Sequence, residues 1–208
     1  LKLKEQINSQ EVFGADDIAI ELPLEFVYTN DQNEEVVLTA EPITIPLNSD
    51  LALNTEVRYR TNQGEQIGRG PIQPVIGEET VYWAFIDIMN SLNDLKNVVL
   101  TAELGDGIEW TTLGSVTIGD GIIYNPQTRT IKWNIDTIRS YQTNFDEMEY
   151  SMALQLSVTP TASDLGNSLV LLKNISVTGR DQNTNSIVSS NIDSITNILS
   201  DDNGVVVE

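Results

Sequence analysis

The sequence predicts an all-β fold: an antiparallel sandwich in tandem with a smaller or partial β unit. Three observations carry that expectation. Apolar residues alternate with polar ones in segment after segment, the period-two pattern of a half-buried strand. Clusters of Asn, Asp, Gly and Pro interrupt these segments roughly every 8–12 residues, as in sandwiches. No segment is long and periodic enough to be the crossover helix of a parallel sheet.

The first strand signal is residues 17–28, DIAIELPLEFVY, with Ile18, Ile20, Leu22, Leu24, Phe26 and Tyr28 in phase. Pro23 inside it points to an edge strand or a bulge. TNDQNEE (29–35) reads as a turn, VVLTAEPITIPL (36–47) as one or two strands, and NSD (48–50) as another turn. LALNTEVRYR (51–60) alternates Leu51, Leu53, Thr55, Val57 and Tyr59. Residues 61–80 then hold four glycines and two prolines. A domain boundary is expected there, dividing a small or partial sandwich-like unit, 1–69, from a larger one, 70–208.

In the larger unit, TVYWAFIDIMNS (80–91) sets Tyr82, Ala84, Ile86 and Ile88 on one face and Trp83 with Phe85 on the other. NDLKNVVLTAEL (93–104) follows with Val98, Leu100 and Ala102 in phase, then a GDG turn and the strand IEWTT (108–112). GIIYN, PQTR and TIKWNI spell a hairpin in which Ile131, Trp133 and Ile135 share a face. Residues 136–149 read as a loop with some helical character. YSMALQLSVTP (150–160) and SLVLLKNISVTGRD (168–181) are strong strand signals, and 183–199 is a weaker one. About seven short strands in this arrangement indicate an immunoglobulin-like sandwich. LEFVYTNDQNEEVV also parallels ISVTGRDQNTNSIV when the DQN words at 31–33 and 181–183 are aligned. On that alignment, the first unit is the back part of a domain related to the second.

Composition narrows the function. The chain has 208 residues and a net charge of -20, from 31 Asp and Glu against 11 Lys and Arg. Such a surface repels nucleic-acid phosphates and anionic lipid, so neither is an expected partner. With no histidine and no cysteine, the usual zinc, haem and iron–sulfur ligands are missing, as are Ser–His–acid and Cys–His machineries. An enzyme is not expected. No apolar run approaches the roughly 20 residues of a membrane span. Opening at Leu1 and closing on GVVVE, the chain reads as a segment of a longer polypeptide.

Residues 70–181 resemble the repeated β-sandwich domains of large bacterial surface proteins, the group of DUF11-like and related immunoglobulin-like repeats. The matching pieces are Gly70-Pro71, Pro74, Val75, Gly77-Glu78, Thr80 and Tyr82. They continue with Asn90, Asn93-Asp94-Leu95, Asn97-Val98, Thr101, Leu104, Gly107 and Trp110, and then Tyr124, Asn125, Thr128, Arg129, Ile131, Trp133 and Ile135. Gly105, where the pattern usually has Pro, and Gln73 depart from it. The resemblance implies an extracellular, cell-surface location, a tandem arrangement with neighbouring domains, and a role as spacer or adhesive module. It implies no ligand; a cell-surface protein or glycan is the expected external partner.

Candidate site residues follow from the same reading. Asp16, Asp17, Glu78, Glu79 and Asp181 stand at strand ends, where carboxylates would supply the oxygen ligands of calcium. Asp106, Asp120, Asp164, Asp201 and Asp202 occupy similar turns, although Asp favours turns for backbone reasons alone. Asp146 and Glu149 in FDEMEY, the densest acid cluster in a loop, are the candidates for a glycosidase-like pair, but nothing in the sequence shows a cleft and a solvated acidic loop is the expectation. Trp83 is the aromatic best placed to stack on a sugar, whereas Trp110 and Trp133 read as core. Arg129 is expected to pair across its hairpin or with a neighbouring acid. The leading function is a non-catalytic structural or adhesive stalk segment of a bacterial or archaeal surface protein. The alternatives are a carbohydrate-binding or accessory module of a secreted enzyme, and a strand-exchanging surface-layer or pilus subunit.

Overall fold

The computed structural model describes residues 19–140, 150–200 and 202–208, and among them eleven strands form three antiparallel sheets. β1 (Ala19–Thr29) and β2 (Glu35–Pro46) make a two-stranded ribbon. The other strands are β3 (Leu51–Arg58), β4 (Thr80–Asn90), β5 (Leu95–Leu104), β6 (Ile108–Val116), β7 (Ile123–Asn125), β8 (Thr130–Ile138), β9 (Tyr150–Val158), β10 (Val170–Asp181) and β11 (Ile187–Thr196). They form a sheet of order β11-β10-β5-β8-β7 and a sheet of order β3-β4-β9-β6. The edge strands β11 and β3 lie side by side, so one flank of the sandwich is closed.

The alternation in the sequence becomes the core between these two sheets. Tyr82, Ala84 and Ile86 of β4 and Met152, Leu154 and Leu156 of β9 face Val98, Leu100 and Ala102 of β5, Ile131 and Trp133 of β8, and Ile175 and Val177 of β10. All are fully buried. Burying each large side chain contributes about 1.5–3 kcal/mol, which offsets the entropy of ordering the strands. Trp133 keeps its polar edge satisfied by donating its indole N–H to the Ile118 carbonyl at 2.9 Å. The result is an all-β, immunoglobulin-like antiparallel sandwich.

The division expected at 69/70 does not separate two sets of strands. β3 pairs with β4 from Leu51↔Asn90 to Arg58↔Trp83, and Leu51 and Tyr59 belong to the same core as the strands beyond residue 80. Residues 61–79 run along the sandwich rather than away from it. Ile67 and Gly68 donate to the Tyr59 carbonyl, Arg69 and Val81 exchange backbone bonds, and Thr80 Oγ1 donates to the Pro71 carbonyl. Gly70 passes so close that an added Cβ would stand 2.0 Å from the Glu79 carbonyl oxygen. The glycines and prolines that suggest a linker are the residues that let this segment hug the sheet. Residues 136–138, expected in a loop, continue β8, and residues 141–149 lie outside the described residues.

One departure from the surface-repeat pattern has a local cause. Gly105 donates its N–H to the Leu171 carbonyl at 3.0 Å, and a Cβ there would lie 1.8 Å from the Val170 carbonyl oxygen. Proline would lack both the hydrogen and the room. Arg129, at φ 57° and expected to pair across its hairpin or with an acid, meets no acid among the described residues. Its guanidinium donates to the carbonyls of Gly105 and Ile108 at 2.6 and 2.8 Å and so ties down the β5–β6 turn. At the end of the chain, Val206 is buried, and Val205–Val207 bridge to Ser168, Leu165 and Val75.

Candidate functional site: a carboxylate-centred junction and an apolar ribbon

The end of β10 delivers Asp181 to the edge of the sandwich where the chain arrives from the ribbon. An Asp at this position closes the turn into β11 by accepting the N–H groups of Asn183 and Thr184, at 2.9 and 3.0 Å, on Oδ1. Its other oxygen faces the incoming segment 47–50. Oδ2 accepts the Ser49 N–H at 2.7 Å and the Asn93 side-chain amide at 2.9 Å. Four donors thus occupy the four lone-pair positions of one carboxylate, and the residue has no exposed surface.

Asn93 completes the clamp. Its amide also donates to the Leu47 carbonyl at 2.7 Å, while Ser49 Oγ donates to the Asn93 carbonyl at 2.9 Å and accepts the Asn93 N–H at 2.6 Å. Asp50 N–H reaches Ser91 Oγ at 2.7 Å, and Thr184 Oγ1 donates to Asn48 Oδ1. Asn90 donates to the Asn93 and Arg139 carbonyls, and Asp94 accepts the Ser140 N–H at 2.7 Å. Each of residues 47–50 is therefore tied to the sandwich. Burial pushes the Asp181 carboxyl pKa up, but the bonds from Asn93, Ser49, Thr184 and Asn183 outweigh it. The net pKa lies below the ordinary carboxylate value.

The ribbon that enters this clamp has two unlike faces. The cross-strand pairs Tyr28↔Val36, Phe26↔Leu38, Leu24↔Ala40, Leu22↔Ile43 and Ile20↔Ile45 all lie on one side. Glu21, Glu25, Thr29, Glu35, Thr39 and Thr44 lie on the other, with the exposed pair Val27↔Val37 among them. The apolar face is open to solvent, with Phe26 65% and Leu38 54% exposed. Continuous exposed apolar surface of this kind marks an interaction site.

The other candidate residues are scattered. Asp16 and Asp17 lie outside the described residues, as do Asp146, Glu149 and Asp201. Glu78 and Glu79 are exposed at the start of β4, whereas Asn90 and Asn93, beside Asp181, stand at its far end. The eleven residues of that strand put roughly 35 Å between them, so these carboxylates and Asp181 cannot share an ion. Among the described residues, no three acidic side chains group closely enough to hold a metal. Asp106 pairs with Lys173 at 3.1 Å, Asp164 accepts the Thr161 N–H at 2.7 Å, and Asp202 accepts the Gly204 N–H at 2.7 Å.

Trp83 is half-buried on the outer face of the four-stranded sheet. It stacks on Phe85 at 6.4 Å and donates its indole N–H to the Ile67 carbonyl at 3.2 Å. Arg58 lies over the Phe85 ring at 4.8 Å. Trp110, partly buried, meets Tyr124 edge-on at 5.8 Å. Ser49 and Asn197 carried no signal as site residues. Asn197 is fully buried, accepts the Leu169 N–H at 2.8 Å and donates to the Gly204 carbonyl at 2.8 Å, which fastens the C-terminal tail.

No family model matches the chain, and no curated protein matches it. Solved structures do. The RrgA Jo.In complex is 11% identical over 69% of this chain and 77% of that one, with a TM-score of 0.40. BcpA, the major pilin subunit of Bacillus cereus, is 9% identical over 83% of this chain and 47% of its own, with a TM-score of 0.40. The full-length major pilin SpaD from Corynebacterium diphtheriae is 12% identical over 76% and 37%, with a TM-score of 0.38. These are distant likenesses, and the assignment of the fold rests on the strand pairing itself.

Proposed function

We propose that the chain is a non-catalytic structural module of a bacterial or archaeal cell-surface polypeptide, and that it holds successive β units in a fixed direction. The observation behind this reading is the clamp on residues 47–50, in which one buried carboxylate and one buried amide tie the ribbon's exit to the sandwich. A flexible linker has solvated backbone groups; here Leu47 O, Ser49 N and Asp50 N all bond to the sandwich. The surface-repeat resemblance of residues 70–181 supports the extracellular location, and three of the residues it shares, Asn90, Asn93 and Asp94, stand at the clamp. The division between β units then falls at 47–50 rather than at 69/70.

The test uses the absence of native cysteine. Spin labels on Asp31→Cys, at the ribbon tip, and Glu109→Cys, on the sandwich, report their separation by pulsed electron spin resonance. A single narrow distance distribution that broadens in Asp181→Ala is expected. A broad distribution in the otherwise unaltered chain overturns the proposal. Sedimentation in the same buffer separates a monomeric module from the strand-exchanging alternative, which would polymerise.

A further inference from the structure

We propose that the β1–β2 ribbon is the closing hairpin of a second sandwich of this same fold, standing to that sandwich as β10–β11 stands to its own. The inference deepens the module reading above by naming what covers the apolar face.

The two hairpins share their turn chemistry. Asn30 Oδ1 accepts the N–H groups of Gln32 and Glu34 at 3.0 and 2.9 Å, and Asp181 Oδ1 accepts those of Asn183 and Thr184 at 2.9 and 3.0 Å. Each turn is closed by a 2.9 Å bond from that residue's own N–H, to Glu34 O in one and Ser186 O in the other. Each returns through an Asn in the left-handed region, Asn33 at φ 63° and Asn185 at φ 60°. Asn30 therefore matches Asp181, and the DQN words do not superimpose. The first loop is one residue shorter.

From that anchor the pairs correspond one by one. Tyr28↔Val36 matches Gly179↔Val188, Phe26↔Leu38 matches Val177↔Ser190, and Leu24↔Ala40 matches Ile175↔Ile192. Gly179, Val177 and Ile175 are the inward positions of β10, beneath the four-stranded sheet; their counterparts in β1 are large, apolar and exposed. Pro23 matches Asn174, which lies where the pairing of β10 with β5 slips, between Lys173 and Ser176. A residue without an N–H fits such a slip. A strand beside β1 and a sheet across Leu24, Phe26 and Tyr28 would cover the ribbon as β5 and the four-stranded sheet cover β10–β11. A second copy of this chain is a poor occupant, because each copy carries a net charge of -20, whereas a sandwich on the same polypeptide is held close regardless of charge.

The test is a graft. Residues 24–40 replace residues 175–192, and in a size-matched version Tyr28→Gly and Phe26→Val restore the volumes of Gly179 and Val177. The size-matched graft is expected to unfold cooperatively. Adding Asn30→Asp is expected to raise its midpoint, because an aspartate there regains the bonds from Ser49 and Asn93. Loss of cooperative unfolding in the size-matched graft, or no gain from Asn30→Asp, overturns the inference. The unaltered chain supplies a second readout: a monomer with fast amide exchange across Leu24–Tyr28 is expected. A dimer dispersed by Phe26→Lys, or slow exchange in the monomer, assigns the face to a second copy or to residues 1–18 and also overturns it. A broad spin-label distribution would sink the rigid-junction reading without changing the graft result.

Discussion

Asp181 accepts the backbone N–H of Ser49 at 2.7 Å across 132 positions of sequence. This contact joins the end of β10 to the segment that carries the ribbon. It couples the ribbon's direction to the most buried strand pairs of the sandwich, so its loss is felt in both stability and geometry.

Removing the carboxylate orphans several donors at once. Asp181→Ala leaves the amide of Asn93 and the N–H groups of Ser49, Asn183 and Thr184 without their acceptor. At 1–3 kcal/mol for a buried unsatisfied group, with neighbours not additive, a loss of about 3 kcal/mol is expected. Urea unfolding followed by tryptophan fluorescence measures it. Asp181→Asn keeps two lone pairs and is expected to lose less.

Acid acts on the same bond. The Asp181 pKa is lowered in the folded chain, so its stabilisation is fully present above the ordinary value of about 4 and is lost as pH falls through the lowered folded value. Wild-type midpoints are expected to drop in that window more steeply than those of Asp181→Asn, which has no proton to take up.

Two glycines two positions apart in the same turn are expected to behave differently. Gly107 has φ 72° with nothing within 4 Å of an added Cβ, whereas a Cβ on Gly105 meets the Val170 carbonyl at 1.8 Å. Gly107→Ala is expected to cost about 1–2 kcal/mol through backbone strain. Gly105→Ala is expected to cost about 4 kcal/mol or more, because the turn must leave β10. Thermal unfolding of the pair decides this.

Tyr82 carries an alkaline limit. Its burial, only partly offset by the bond from Asn197, raises the phenol pKa to about 12. Its hydroxyl donates to the Ile72 carbonyl at 3.0 Å. The stabilisation is present below the unfolded value of about 10 and is lost as pH rises toward 12. Tyr82→Phe is expected to cost about 1 kcal/mol at neutral pH and to flatten that decline.

Calcium is expected to leave the melting temperature of the described fold unchanged, and chelator likewise. Asp181 has its lone pairs filled by N–H donors, and Glu78 with Glu79 stands at the opposite end of β4. Differential scanning calorimetry in millimolar calcium measures it; a rise of several degrees would mean a carboxylate cluster binds the ion.

Much of this architecture was legible in the sequence because strand alternation is a local signal. Ile131, Trp133 and Ile135 fall on the buried face that their spacing predicts. The boundary was not legible. Gly64, Gly68, Gly70, Pro71 and Pro74 read as a linker, because composition records backbone freedom and not whether a neighbouring sheet accepts the chain. The clamp was half visible. Asp181, Asn90, Asn93 and Asp94 stood out, but the segment Leu47–Asp50 that Asp181 and Asn93 hold lies far off in sequence, 132 positions from Asp181 in the case of Ser49, a separation that no local pattern encodes.

The hydrogen-exchange rate of the Ser49 amide, read by nuclear magnetic resonance, reports on whether the carboxylate holds the junction rigid. Exchange as slow as that of the buried β10 amides such as Val177 is expected, with fast exchange in Asp181→Ala. A Ser49 amide that exchanges at the rate of an unstructured peptide in the unaltered chain would contradict a rigid junction.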